Sequence, residues 1–275
     1  VRIFITGSEG QLGHELAEVF KNQETVLGKK SEQDITDEKI MDQIYDHRPE
    51  VVVHAAAYTD VDGCEKNRDL AHKVNAIGTH LVARAAEKSG AKMVYISTDY
   101  VFSGRKRTPY VETDTPSPLN IYGQSKWEGE QFVQQSCSRY VILRTSWLYG
   151  RVGKNFVKTV LNKAVQETEL RVVNDQVGCP TYAKDLAVAI DAIMKLEAYG
   201  LYHAAGQGMC SWFEFAQEIL KLAGLSTKVT AISSKDLNRP ARRPAYSVLS
   251  HVKLSRLGIT LRPWKEALHD YIHSQ

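Results

Sequence analysis

Arg2-Ile3-Phe4-Ile5-Thr6-Gly7-Ser8-Glu9-Gly10-Gln11-Leu12-Gly13 is the stretch from which the rest of the chain is read. A short apolar run of strand character ends at Gly7. The spacing Gly-x-x-Gly-x-x-Gly then leads into a helical pattern with Leu12, Leu16, Val19 and Phe20 on one face. Glycines at these places permit a tight turn and a close backbone approach to a pyrophosphate, which would rest on the positive N-terminus of the helix. Elsewhere in a chain the spacing is weak evidence. Directly after a first strand it predicts a dinucleotide site at Gly7, Gly10, Gln11, Leu12 and Gly13.

Outward from this stretch, strands and helices alternate. Thr25-Val26-Leu27 reads as a second strand, and Asp34-Ile35-Thr36-Asp37 has the chemistry to open a helix. Val51-Val52-Val53-His54 is a buried-type strand that breaks at Ala55-Ala56-Ala57, and a helix is expected from about Asp69 to Ser89. Lys92 to Ser97 and Tyr140 to Arg144 are further strands, with a helix after Tyr122 between them. Continuous apolar strands between helices argue for a parallel sheet covered on both faces, a Rossmann-type doubly wound α/β fold. The second half keeps a strand at Leu170 to Val173, a helix from about Lys184 to Leu196 and a strand at Leu201 to His203, then turns to short helices and loops rich in Pro and Arg. No linker separates the halves. The expected division is therefore interleaved: 1–148 with about 182–203 as the dinucleotide-binding domain, and about 149–181 with 204–275 as a smaller α/β substrate domain.

Composition narrows the setting. Among 275 residues, 35 Lys and Arg face 32 Asp and Glu, a net charge of +3 that is weak for a protein neutralising many phosphates, so no nucleic-acid partner is expected. No run approaches the roughly 18 apolar residues of a membrane span, and the chain opens on a strand with no signal-peptide pattern. Cys64, Cys137, Cys179 and Cys210 lie far apart with no Cys-x-x-Cys pair, which reads as reduced thiols of a cytoplasmic protein. The nine histidines show no ligand spacing, and His54 on its apolar strand reads as a core residue. The one basic run, Arg239-Pro240-Ala241-Arg242-Arg243, suits a small anion.

Two further features carry chemistry. The carboxylate that usually closes the second strand for the adenosine ribose is missing, and Gly28-Lys29-Lys30 stands there instead. Lys29 and Lys30 could attract a 2′-phosphate, so the cofactor is NADPH or NADH with the balance toward NADPH. Asp34 and Ile35 would border the adenine, and Ala55, Ala56, Ala57 and Tyr58 follow the third strand toward the cofactor. Tyr122-Gly123-Gln124-Ser125-Lys126 is Tyr-x-x-x-Lys, which places phenol and ammonium one helical turn apart. A nearby cation is expected to lower the tyrosine pKa toward working pH for general acid–base use, and the lysine can also bind the nicotinamide ribose. Alone, the motif is common by chance. Its setting between strands four and five, with Ser97-Thr98 ending strand four where ligands bind, makes Thr98, Tyr122 and Lys126 the expected catalytic set.

These residues resemble the extended short-chain dehydrogenase/reductase superfamily. Longer phrases are similar to one family within it: Gly10-Gln11-Leu12-Gly13, Ala55 to Asp62, Ser97-Thr98-Asp99-Tyr100-Val101-Phe102, Ser117 to Gly123, Arg144 to Gly150, Asn174 to Thr181 and Arg243 to Ser247. Over essentially its whole length the chain resembles the dTDP-4-dehydrorhamnose reductases. The resemblance implies NAD(P)H-dependent reduction of the C4 ketone of dTDP-4-dehydro-β-L-rhamnose, the last step of dTDP-L-rhamnose synthesis. Tyr122 would donate the proton, Lys126 would tune it and Thr98 would orient the oxygen. Asp99, Tyr100 and Trp147 are candidates to line the sugar and nucleotide pocket, although Trp147 could equally be a core aromatic. Arg239, Arg242 and Arg243 are candidates for the diphosphate.

One departure matters. Some relatives bridge a homodimer through Mg²⁺ held by carboxylates near the first helix and after the Pro-Thr phrase. Glu15 suits the first place, but Lys184 occupies the second and cannot ligate Mg²⁺. No Mg²⁺ requirement is therefore expected, and monomer and homodimer both stay open. Two other classes compete. One is a non-catalytic regulator like the β subunit of methionine adenosyltransferase, disfavoured by the intact Thr98, Tyr122 and Lys126. The other is a nucleotide-sugar epimerase or dehydratase, the latter disfavoured because Asp99-Tyr100 after Thr98 is not an acidic pair.

Overall fold

The computed structural model describes residues 1–274. Strands β1 (Arg2–Thr6), β2 (Glu24–Gly28), β3 (Val51–His54), β4 (Lys92–Thr98) and β5 (Tyr140–Thr145) alternate with α1 (Gln11–Val19), α2 (Lys39–Asp46), α3 (Val61–Lys66), α4 (Arg68–His72), α5 (Thr79–Lys88) and α6 (Ile121–Ser136). Then follow β6 (Leu148–Tyr149), α7 (Phe156–Ala164), β7 (Glu169–Val173), β8 (Val177–Gly178), β9 (Thr181–Tyr182), α8 (Ala183–Met194) and β10 (Gly200–His203). The chain ends through β11 (Cys210–Ser211), α9 (Trp212–Leu222), β12 (Lys228–Ile232), α10 (Val252–Ser255) and α11 (Trp264–His273).

Six strands make one parallel sheet in the order β10-β5-β4-β3-β1-β2. The doubly wound α/β expectation therefore stands. Chain direction across the sheet reverses at β1, and the crevice outside the strand ends beside that switch point is where such sheets bind ligands. Alternation of side chains explains why the middle of each central strand is apolar on both faces. Ile3, Ile5, Val53, Val94 and Leu143 face a core completed by α1 and α8. Phe4, Val52, Met93, Tyr95 and Ile142 face the opposite core, completed by α2, α5 and α6. Burying each such aliphatic side chain contributes about 1.5–3 kcal/mol.

A separate core gathers Tyr149, Val160, Phe215, Leu268 and Tyr271 from the second half of the chain. Two connections tie it to the sheet. Strand β10 returns to pair with β5, and Leu254, Ile259 and Leu261 pack into the core beneath α8. Lys92 reinforces this side from within: its buried ammonium donates to the carbonyls of Ile193 at 3.1 Å and Leu196 at 2.5 Å, where α8 ends.

Three expectations are corrected. The helix expected from about Asp69 to Ser89 is α4, a π-helical turn at Lys73–Gly78, and α5. That wide turn carries Asn75, whose amide bonds the backbone of Tyr58 from both sides (Tyr58 N to Oδ1, 2.8 Å; Nδ2 to Tyr58 O, 3.0 Å). The helix expected to open at Asp34 starts at Lys39, because Asp34 and Asp37 accept from the amides of Thr36 (2.9 Å) and Lys39 (3.0 Å) and hold the chain in turns. The C-terminal part, read as short helices and loops, holds the 11-residue α9, the 10-residue α11 and β12, which pairs in parallel with the distant β7.

Candidate active site

A cleft of about 940 Å³ opens at the carboxyl ends of the sheet strands. Its floor begins at Gly7, which has φ +70° and abuts the segment after β3: a Cβ there would lie 2.7 Å from Ala56 N and Cα. Gly10 precedes α1 without any side-chain cap, which leaves first-turn amides available to a phosphate. Gly7, Gly10, Gln11, Leu12 and Gly13 all line the cleft, as do Ala55, Ala56, Ala57 and Tyr58 across from them. These residues fit a dinucleotide pyrophosphate.

At the end expected to take the adenosine the cleft reaches Lys30, Asp34 and Ile35, while Lys29 lies outside its lining. Lys73 from the π-helical turn joins Lys30 there, a cation the sequence reading did not single out. The backbone amide of Thr36 holds the Asp34 carboxyl below its usual range, with smaller help from Lys30 and Lys73.

At the other end, local sequence sets α6, which carries the candidate catalytic residues. Asn120 caps α6 by accepting from Gly123 N at 2.8 Å. Gly123 lets the helix press against the turn after β4, since a Cβ there would fall 2.1 Å from the Tyr100 carbonyl oxygen. That close approach brings Tyr122 beside Thr98, whose hydroxyl bonds the phenol. The Tyr100 ring stands edge-on to Tyr122 at 5.9 Å. Lys126, one turn along α6, lies 4.2 Å over the Tyr95 ring and is buried.

The electrostatics of this end differ from the expectation in one respect. Burial holds the Tyr122 phenol above the ordinary tyrosine range, where the lysine was expected to lower it. Burial also brings Lys126 down to about 7, against an upward pull from Glu130. Desolvation leads both shifts, raising the phenol and lowering the ammonium. Beneath them, Arg144 grips Glu130 through two bonds (2.8 and 2.6 Å), and Ser97 donates to the same carboxylate. His54 is a core residue bonded to Thr6 at 2.7 Å and Thr79 at 3.0 Å, and burial depresses its pKa to about 3.

The substrate candidates fall into two groups. Asp99, Tyr100 and Trp147 line the cleft. Trp147 has φ +47°, a left-handed conformation that costs a non-glycine residue about 1–2 kcal/mol. Its ring is stacked on Trp212 at 3.4 Å and packs on Gly178, where a Cβ would come within 2.5 Å of the indole. Trp212 also lines the cleft, and no sequence pattern marked it. None of the three arginines lines the cleft, although Arg239 and Arg243 act on the Tyr100 phenol, which does. Arg243 is bound to Asp62 through both terminal nitrogens (2.7 and 2.8 Å), Arg239 stands 4.0 Å from the same carboxylate, and Arg242 is exposed. The Arg242 carbonyl accepts from Asn120 at 2.7 Å, so the residue that caps α6 also anchors the arginine segment.

Away from the cleft, Glu15 is held by Arg151 through two bonds of 2.8 Å, and Lys184 pairs with Asp270 at 3.3 Å. No cluster of three or more His, Cys, Asp or Glu side chains is placed to hold a metal among the described residues. Among these residues, too, no helix is long and apolar enough to cross a membrane.

Comparison with known proteins agrees with this geometry. The RmlD substrate binding domain family matches residues 1–275. The spore coat polysaccharide biosynthesis protein SpsK of Bacillus subtilis is 42% identical over 100% of this chain and 98% of its own. A dTDP-4-dehydrorhamnose reductase of Sinorhizobium fredii is 39% identical over 97% and 95%. The crystal structure of the dTDP-4-dehydrorhamnose reductase of Bacillus anthracis in complex with NADP superposes with a TM-score of 0.97 at 44% identity, covering 100% of this chain and 99% of that one. Full-length likeness in sequence and in fold makes this chain a member of the dTDP-4-dehydrorhamnose reductase family.

Proposed function

We propose that this chain reduces the C4 ketone of dTDP-4-dehydro-β-L-rhamnose to dTDP-L-rhamnose, using NADPH or NADH. The observation that carries the reading is the half-buried Tyr122 beside Thr98 and one turn from Lys126, at the inner end of a cleft whose outer end fits a dinucleotide. The dihydronicotinamide, when bound, supplies a hydride to the ketone carbon. Tyr122 gives its proton to the ketone oxygen, so an alcohol forms and a phenolate remains on the protein. Lys126, cationic below about 7, would stabilise that phenolate and would hold the ribose hydroxyls of the bound cofactor. Such general acid catalysis contributes roughly 10²–10⁴-fold.

Lys30 and Lys73 at the adenosine end support NADPH over NADH. Trp147 and Trp212 supply an aromatic wall for the nucleotide sugar, and Arg239, Arg242 and Arg243 supply cations for its diphosphate. The separate cores support a cofactor domain of 1–148 with about 182–203 and a substrate domain from the remainder, save that Leu254, Ile259 and Leu261 pack with the sheet. Glu15 locked to Arg151 and Lys184 paired with Asp270 argue for a catalyst without Mg²⁺. Four buried, unpaired thiols support a cytoplasmic setting.

The test is oxidation of NADPH and NADH by the protein with enzymatically generated dTDP-4-dehydrorhamnose, with product stereochemistry read by NMR. Cofactor binding without turnover would favour the regulatory class. A tightly held NAD⁺ that copurifies would favour an epimerase.

A further inference from the structure

Asp99 is a carboxyl group inside the cleft to which the reduction step assigns no task. It opens the short turn after β4, is 2% exposed and still lines the cleft. Three hydroxyls converge on it. Thr98 donates to Oδ1 at 3.1 Å, Ser146 donates to Oδ2 at 3.1 Å, and Ser247 donates from the C-terminal part of the chain. Tyr100 faces it from its own turn, Tyr122 from α6, and Cys179 from the loop after β8. The cations of neighbouring elements are committed elsewhere: Lys126 over the Tyr95 ring, Arg243 to Asp62, and Arg144 to Glu130. Hydroxyl donors thus hold its charge, and burial pushes the carboxyl up to about 6 against them.

Thr98 has one hydrogen and two lone pairs. With its hydrogen given to Asp99, its oxygen accepts from Tyr100 N at 3.2 Å and meets the Tyr122 phenol. Nothing remains for it to donate to a substrate oxygen. We infer that Asp99 is a positioning residue that sets the polarity of Thr98: ionised, it makes Thr98 an acceptor only, and protonated, it releases the Thr98 hydrogen toward the reacting oxygen. Tyr122 still supplies the proton of the new O–H bond, and Thr98 makes and breaks no covalent bond. The inference rests on the reductase reading. Its consequence is that reduction accelerates as pH falls through about 6.

Single-turnover reduction measured between about pH 5 and pH 8 tests this. Two inflections are expected, an upper one near 7 from Lys126 and a lower one near 6 from Asp99. Asp99→Asn should erase the lower inflection and leave the upper. Ser247→Ala, outside the cleft lining, should move the lower one to higher pH, because it removes a donor that favours the charged form. A lower inflection that survives Asp99→Asn, or that Ser247→Ala leaves in place, overturns the inference. Carboxyl ¹³C NMR titration of the free protein reads the same coupling without turnover. Thr98→Val should raise the Asp99 midpoint, and an unchanged midpoint overturns the inference even where Asp99→Asn fails to fold. A wild type inactive on the nucleotide sugar would overturn the reductase reading instead.

Discussion

The two ends of the cleft control charge by different means. At the inner end, proposed to be catalytic, Thr98, Asp99 and Lys126 are buried, and desolvation leads every resolved shift: the Tyr122 phenol up, the Asp99 carboxyl up to about 6, and Lys126 down to about 7. At the adenosine end, Lys30, Asp34 and Lys73 are exposed, and a backbone hydrogen bond leads the downward shift of Asp34. Ionisation at the inner end is therefore a property of position within the fold. At the outer end it is set by local bonds and by salt.

The largest test of this contrast is Tyr122→Phe. It should cut turnover by about 10²-fold or more while cofactor affinity, read by fluorescence titration, stays nearly unchanged. Turnover like the wild type would remove the inner end from the chemistry. Next comes Gly123→Ala, whose new methyl would meet the Tyr100 carbonyl oxygen at 2.1 Å. It should cost about 1–3 kcal/mol in denaturant unfolding and displace Tyr122, lowering turnover roughly tenfold. An unaltered unfolding midpoint with full activity would mean that the close approach is not what places the phenol. Smaller still, Lys30→Ala with Lys73→Ala should weaken NADPH binding by roughly tenfold at low salt and NADH binding by less than about twofold. Equal losses for both cofactors would contradict a 2′-phosphate role. Chelation should have the smallest effect, none: loss of activity in EDTA that Mg²⁺ restores would show a metal site that the Glu15–Arg151 and Lys184–Asp270 pairs argue against.

Legibility in the sequence followed the distance between the residues involved. Gly7 to Gly13 and the Tyr122–Lys126 pair could be read because each motif is local and its spacing alone fixes the geometry. The six-stranded sheet could be read because each central strand is apolar on both faces. Trp212 and Lys73 could not, since each reaches the cleft only through folding of remote segments. Nor could the grip of Arg243 on Asp62, whose partners lie 181 residues apart. The π-helical turn was hidden because Lys73 to Gly78 has ordinary helical composition, and its widening follows from Asn75 engaging Tyr58. The sign of the Tyr122 shift was misjudged because spacing reports the neighbouring cation but not the burial of both groups.

Strand β10 gives the fold an order in time. One edge strand of the sheet comes from residues 200–203, after the chain has left β5 and built α7 through α8. A nascent chain leaving the ribosome therefore exposes β5 as an unpaired edge, with the α8-facing core uncovered, until those residues emerge. Folding should be late and cooperative, and chains cut between β5 and β10 should aggregate where the whole protein does not.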